Sequence, residues 1–217
     1  MVWFSAHEHI TNGYVSPPQS SSIIRKGIFL DTAPLFVLIC GHYDKVNNTE
    51  LIKNFDCAEI EKHGGRKYTL KDYNSLLAFL NSFDLKVMPL LITPQIFTEF
   101  IQHLWKICTT KEQFKIILND SFNKRLHIKD VSRHINPRDF LLNKNFIDME
   151  LEIGDVSILI CAKIESENQR ARTILTGDKN FSIISSDKYD FNTLLFDEIR
   201  NTTLTLDEIP KELLKEI

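Results

Sequence analysis

Four carboxylates in this chain stand where hard-ligand chemistry could be built: Asp31, Glu99, Asp155 and Asp178. Asp31 follows the apolar run Ile28-Phe29-Leu30, and Asp178 follows Thr173-Ile-Leu-Thr176 and Gly177. Such runs read as buried strands, and in parallel α/β sheets ligands bind just outside the strands' carboxyl ends. Taken singly, an Asp in such a place is ordinarily a turn or helix-capping residue. Glu99 falls on the rim of the amphipathic stretch 94–106, about 60° outside its apolar arc. A rim Glu is ordinarily solvated, but this one stands in the second turn of a helix that leaves a strand, within reach of the sheet edge. Asp155 opens the apolar stretch from Val156 to about Glu167, where helix capping is its ordinary role. On that stretch Asp155, Leu159, Ala162 and Ser166 share one helical face. A carboxylate at the head of a packed face is costly unless a cation meets it.

Four acids at one edge would raise one another's pKa unless a cation neutralised them. Hard oxygen ligands in small number suit Mg²⁺ or Mn²⁺ that keeps several waters. Such an ion can activate water and stabilise the transition state of a phosphoryl reaction. His103, one turn beyond Glu99, is a further candidate ligand. No second histidine has a matching position, so its ordinary reading is a surface residue.

The rest of the composition sets bounds. With 217 residues, 43% hydrophobic and 25% charged, the chain matches a globular protein, which excludes wholesale disorder and fibrous classes. No apolar run approaches the roughly 18–20 residues that span a bilayer. The first residues carry neither the basic segment nor the apolar core of a secretion signal. Cys40, Cys57, Cys108 and Cys161 are widely spaced, which predicts reduced thiols in a cytoplasmic protein rather than a disulfide frame or a zinc site. The formal net charge is −3, but residues 102–145 hold nine Lys/Arg against four Asp/Glu. A mildly acidic chain can still present one basic face to a polyanion. Lys124, Arg125, Arg133 and Arg138 in that segment, with Lys163, Arg170, Arg172 and Lys179 near the acids, are candidate phosphate contacts. Individually each reads as part of a solvated face.

The elements that must position the acids alternate. Residues 1–22, ending in Ser-Pro-Pro-Gln-Ser-Ser-Ser, read as a flexible arm, and 23–217 as one domain. Strands are predicted at 27–30, 86–92, 173–176 and 192–196. Helices are predicted at 35–40, 70–80, 94–106 and 156–167, with a polar loop over 41–70 marked by Gly64-Gly65. Thr93-Pro94 is a helix start, with Thr as cap and Pro in the first turn. The 94–106 helix should bury Ile96, Phe97, Phe100, Ile101, Leu104 and Trp105. The basic segment 107–147 reads as broken helix, stopped at Asn136-Pro137. Strands alternating with helices predict an α/β fold around a mostly parallel sheet.

The four motifs Ile28-Phe-Leu-Asp31-Thr32-Ala33, Thr93-Pro-Gln-Ile-Phe-Thr-Glu99, Gly154-Asp155-Val-Ser and Leu175-Thr176-Gly-Asp178-Lys-Asn-Phe181 follow one another in order. This order resembles the PIN-domain family, which includes metal-dependent ribonucleases and the VapC-type toxins of toxin–antitoxin pairs. The resemblance covers most of residues 25–200. It implies a three-layer sandwich with a central, mostly parallel sheet flanked by helices. Asp31, Glu99, Asp155 and Asp178 would be the catalytic, metal-binding acids, with Asp31 and Asp155 as direct ligands. Thr32 and Thr176 would supply supporting hydroxyls. The implied reaction is hydrolysis of an RNA phosphodiester with Mg²⁺ or Mn²⁺. A toxin role would imply an antitoxin covering the acidic cleft, and the two terminal segments would be candidates for homodimer contacts.

Two features depart from the family. Ala33 stands where Asn or Ser is common, and Asp31 and Glu99 are 68 residues apart, wider than in compact members.

Other chemistries fit less well. A haloacid-dehalogenase-type phosphohydrolase needs an acid two residues after the first Asp, where this chain has Ala33. No glycine-rich phosphate loop and no Gly-x-Ser-x-Gly elbow occurs. A PIN-like module that binds RNA or protein without catalysis is the alternative from another class.

Overall fold

A computed structural model of the chain describes residues 27–55, 67–82, 89–121, 126–128, 151–167 and 173–201. The expected arm, the Gly64-Gly65 loop and the Asn136-Pro137 stop lie outside these residues.

Five strands form one sheet: β1 (Ile28–Leu30), β2 (Leu90–Ile92), β3 (Leu126–Ile128), β4 (Thr173–Thr176) and β5 (Asn192–Leu195). Their order is β3-β2-β1-β4-β5, and every neighbouring pair is parallel. No side chain of β1 or β4 is exposed at all. Successive strand residues point to opposite faces, so a strand with nothing exposed is covered on both. Among the described residues, seven α-helices flank the sheet: α1 (Thr32–Asn47), α2 (Leu70–Ser82), α3 (Pro94–Ile107), α4 (Lys111–Ser121), α5 (Ile153–Glu167), α6 (Lys179–Tyr189) and α7 (Phe196–Asn201). The protein is therefore α/β with a parallel sheet, an arrangement compatible with a three-layer sandwich. No helix among the described residues is long and apolar enough to cross a membrane.

The strand order decides where a site can form. The chain steps outward from β1 to β2 and β3, then returns across β1 to β4 and continues to β5. The direction of winding reverses between β1 and β4, and connections leaving their ends diverge to open a crevice there. Asp31 and Asp178 lie immediately beyond those two strands.

Several expectations need correction. The first helix is not confined to 35–40 but runs from Thr32 to Asn47. Its polar second half is retained because Asp44 turns inward. That carboxylate is fully buried and accepts from the backbone N–H groups of Leu51 and Ile52, both at 2.8 Å, capping a 3₁₀ turn at Leu51–Asn54. Residues 41–54 are thus ordered structure rather than loop. Gly41 lets α2 approach: a Cβ there would meet the Tyr73 side chain at 2.6 Å.

The 94–106 helix is present with its predicted start. Thr93 Oγ1 accepts from the Ile96 N–H at 3.2 Å, with Pro94 in the first turn. Its buried stripe is narrower than expected, comprising Ile96, Phe100 and Leu104. Phe97 and Ile101 are half-buried, while Trp105 is 55% exposed and packs edge-on against Phe114 of α4. Among the described residues of the basic segment beyond α3, those of α4 are helical. Leu126–Ile128, expected to be helical, is the sheet's edge strand, parallel to β2.

At the far end Arg200 on α7 reaches the fully buried Asp72 of α2, with Nε 3.1 Å from Oδ1, and stacks on Tyr68. Cys40, Cys108 and Cys161 are free thiols, as the sequence predicts.

Candidate active site

Asp31 is held in place by the backbone that follows it and by the neighbouring strand. The Thr32 N–H donates to its Oδ1 at 2.6 Å, so Asp31 caps α1. The Thr176 hydroxyl, at the end of β4, donates to its Oδ2 at 2.6 Å. Thr176 Oγ1 in turn accepts from the Asp178 N–H at 2.9 Å. A hydrogen-bonded chain therefore joins the two acids across the winding switch, and the β1–β4 register, Leu30 opposite Leu175, keeps it aligned. Asp178 also caps its own helix: Oδ1 accepts from the N–H groups of Asn180 and Phe181 at 2.6 and 3.1 Å.

Asp155 arrives by another route. Helix α5 runs back toward the start of the parallel strand β4, which puts its N-terminus at the edge where Asp31 lies. Its first turn is bound to the end of β2. Ser157 Oγ donates to the Gly154 carbonyl at 2.6 Å and lies 2.6 Å from Thr93 Oγ1. The helix begins at Ile153, so Asp155 is within its first turn rather than preceding it, and accepts from the Glu152 backbone N–H. Gly154 is required by the crossing of α3 and α5. A Cβ there would meet Ile96 Cδ1 at 2.9 Å and Glu99 Oε2 at 3.0 Å. The Gly-Asp motif thus lets the Glu99 carboxylate rest against the N-terminus of α5, where the helix dipole favours an anion. Glu99 is on the rim of its helix, as predicted, with His103 Nε2 3.8 Å away. The His103 ring packs against Phe55 at 5.0 Å between centroids, so it is a half-buried packing residue rather than a surface one.

The electrostatics show which acids lie close. Asp31 is 9% exposed, and its pKa is raised to about 6, chiefly by burial. Hydrogen bonds from Thr176 and Thr32 pull it down, and the charges of Glu99 and Asp178 push it up. Asp155, 8% exposed, is held well above the usual carboxylate range by burial, then by the charges of Asp31, Asp178 and Glu152. All four sequence-predicted acids therefore belong to one interacting group.

They are not gathered into a ligand cage. Among the described residues no three acidic, His or Cys side chains converge on a point that would hold a metal ion. A set needing only two does fit. Mg²⁺ is ordinarily held by one or two carboxylates, with waters completing its shell. Asp31 and Asp155 are buried acids whose ionisation is opposed by their surroundings, which is the condition a cation relieves. The Thr32 hydroxyl adds to this. It was expected to support Asp31, but the backbone N–H does so instead, and Thr32 Oγ1 is buried without a partner. A buried oxygen left unpaired on the residue next to Asp31 is a position for a water or an ion.

Of the candidate phosphate contacts, Lys163 and Lys179 are exposed on α5 and α6. Lys124, Arg125, Arg133, Arg138, Arg170 and Arg172 lie outside the described residues. Sequence reasoning missed the fully buried Asp44 and Asp72. Asp44 is followed by a polar stretch and Asp72 by a Leu-rich one, and no periodicity distinguishes an inward Asp from a solvated one. Compared with family models, curated proteins and solved structures, the chain matches none.

Proposed function

We propose that the protein is a metal-dependent endoribonuclease that hydrolyses RNA phosphodiester bonds, in keeping with its resemblance to PIN-domain proteins. The observation that supports this most is the meeting of Asp31, Glu99, Asp155 and Asp178 at the winding switch of a parallel sheet, two of them buried with raised pKa values. Among the described residues neither Asp31 nor Asp155 is paired with a Lys or Arg that would offset its charge.

Asp31 and Asp155 are the residues that would hold Mg²⁺ or Mn²⁺. When bound, the ion supplies the Lewis acidity that phosphodiester hydrolysis needs. Thr176 orients the Asp31 carboxylate by fixing Oδ2, and Asp178 holds Thr176 through its backbone N–H. Glu99, half-exposed beside the α5 N-terminus, is free to accept a proton at the mouth of the site. A haloacid-dehalogenase-type reaction lacks its acid–base at Ala33, which is buried in the first turn of α1. As part of the same reading, a toxin role would call for an antitoxin whose basic side chain enters among the acids.

The test is cleavage of mixed RNA, tRNA included, with Mg²⁺ or Mn²⁺, comparing the natural chain with Asp31→Asn. Cutting that requires the ion and is lost in the variant is expected. No cutting by folded protein with either ion would move the assignment to a binding module. One observation favours that second reading: both Asp31 oxygens and one of Asp178 are already occupied in capping the fold.

A further inference from the structure

Helix α3 leaves one large aromatic side chain in solvent, and cations gather around it. Trp105 is 55% exposed and leans edge-on against Phe114 of α4, with ring centroids 5.0 Å apart. Lys106 follows it on α3. Lys111, Phe114 and Lys115 recur at i, i+3 and i+4, so they share one face of α4. All three lysines are exposed, and Ile116, 40% exposed, adds apolar surface. Glu112 lies 4.0 Å from Lys115, a pairing of exposed side chains that neutralises little.

This patch continues from the candidate active site along α3. Thr98, Gln102 and Trp105 recur at i, i+4 and i+7, which puts them on one helical face. Thr98 and Gln102 line the groove that holds Glu99 and Gly154. Trp105 stands about 10 Å beyond Thr98, at about 1.5 Å per residue. Among the described residues that line the groove, Glu99 and Glu152 are charged and none is Lys or Arg. Acids there repel a phosphate backbone, so a strand drawn to the cluster takes its grip from cations further along.

We propose that Trp105 is a stacking site for an unpaired base of the RNA, with Lys106, Lys111 and Lys115 holding the adjoining phosphates. The inference rests on the ribonuclease reading for its substrate. Aromatic faces set among cations grip single strands because every base has a π-face and the backbone is uniformly charged. Other occupants fit less well. A helix lying in a membrane surface needs an apolar face, and the described exposed residues of α4 are Lys111, Glu112, Lys115, Ile116 and Asn119, with only Ile116 apolar. The centre of a protein interface is depleted in Lys.

The test uses the full chain with a fluorescein-labelled, mixed-sequence single-stranded RNA and its duplex, in EDTA so that nothing is cut. Trp105→Leu should weaken binding of the single strand about fivefold or more, the loss expected for one stacked base. Trp105→Tyr, which keeps an aromatic face, should retain most of the affinity. Duplex binding should not depend on Trp105, because paired bases are already stacked. In a Trp3→Phe chain, where Trp105 is the sole tryptophan, single-stranded RNA should quench its emission. Replacing the three lysines by Gln should flatten the slope of log affinity against log salt by about 2, at about 0.7 per phosphate contact. Should Trp105→Leu fail to fold, the emission and salt measurements, which leave Trp105 in place, carry the test. Single-strand affinity unchanged in Trp105→Leu, emission indifferent to RNA, or an equal loss on the duplex would overturn the inference. So would self-association, or binding to phosphatidylserine vesicles, that is lost in Trp105→Leu while RNA affinity stays. Trp105-dependent binding in a protein that cuts no RNA would remove the proposed function and leave the stacking site. Metal-dependent cutting with kcat/KM unchanged in Trp105→Leu would do the reverse.

Discussion

Asp31→Asn should stabilise the cation-free protein at neutral pH, even though the variant keeps at most the same hydrogen bonds. The Asp31 pKa stands at about 6 in the folded protein against 3.8 for a free carboxyl. The folded state therefore binds this proton more tightly than the unfolded chain does. Its contribution to stability is fully present below about pH 4 and is lost as pH rises through about 6. Two units at 1.36 kcal/mol each make the ionised carboxylate about 3 kcal/mol unfavourable at pH 7. Asn cannot ionise, so it escapes this cost. Its Oδ1 still accepts from the Thr32 N–H, but its amide must donate to Thr176 Oγ1, which already accepts from Asp178. The Thr176 hydrogen then has to turn away, a loss of about 1 kcal/mol. The net gain is about 2 kcal/mol at pH 7, with a crossover to a small loss between about pH 4 and 5. Urea unfolding across pH 4–8 reads this directly. In thermal unfolding each kcal/mol is worth roughly 2–4 °C for a chain of this size. A variant that is less stable than the natural chain at pH 7, by an amount that does not change down to pH 4, would refute the reasoning.

Other outcomes follow from the same geometry. Millimolar Mg²⁺ or Mn²⁺ should raise the unfolding temperature at pH 7 and much less at pH 5, below the Asp31 pKa of about 6; calorimetry of the natural chain and Asp155→Asn checks this, and an identical response in both would sink the two-carboxylate site. Gly154→Ala forces a methyl against Ile96 and Glu99, so it should cost about 1–3 kcal/mol and depress RNA cleavage; urea midpoints and cleavage rates within error of the natural chain would show that α3 and α5 have room to spare. Arg200→Met removes the guanidinium from the fully buried Asp72 and should cost about 3 kcal/mol, with part regained on adding Asp72→Asn. Full additivity of those two changes in denaturant unfolding would show the pair to be independent.

The positions that could be read from sequence are those where local chemistry and global fold agree. Ile28-Phe-Leu and Thr173-Ile-Leu-Thr are apolar, bounded by Asp and Gly, and buried throughout. Thr93-Pro94 is a helix start whatever surrounds it. Leu126-His-Ile128 fails this condition. Three residues in a basic segment carry no periodicity, and only the edge of β2 makes them a strand. Trp105 fails for the opposite reason, since its size suggests burial but α4 offers it only one ring to lean on. For the site, residue type singled out all four acids, with position beyond a strand for Asp31 and Asp178 and position on the rim or at the head of a helix for Glu99 and Asp155. Their burial and mutual repulsion depended on the strand order, which no single segment encodes.

The hydrogen bond from Thr176 to Asp31 spans 145 residues of chain. A polypeptide leaving the ribosome at roughly 5–20 residues per second waits about 7–30 s between exposing one end of that bond and the other. Throughout that interval Asp31 is an ordinary solvated acid, without a neighbouring carboxylate to oppose its charge. The central strand β1 lacks its β4 neighbour for the same time, so its edge of unpaired backbone N–H and C=O groups is open to wrong partners. Whatever this cluster does, it begins only when the last third of the chain has docked. A truncated product would carry Asp31 and Glu99 and still have no site.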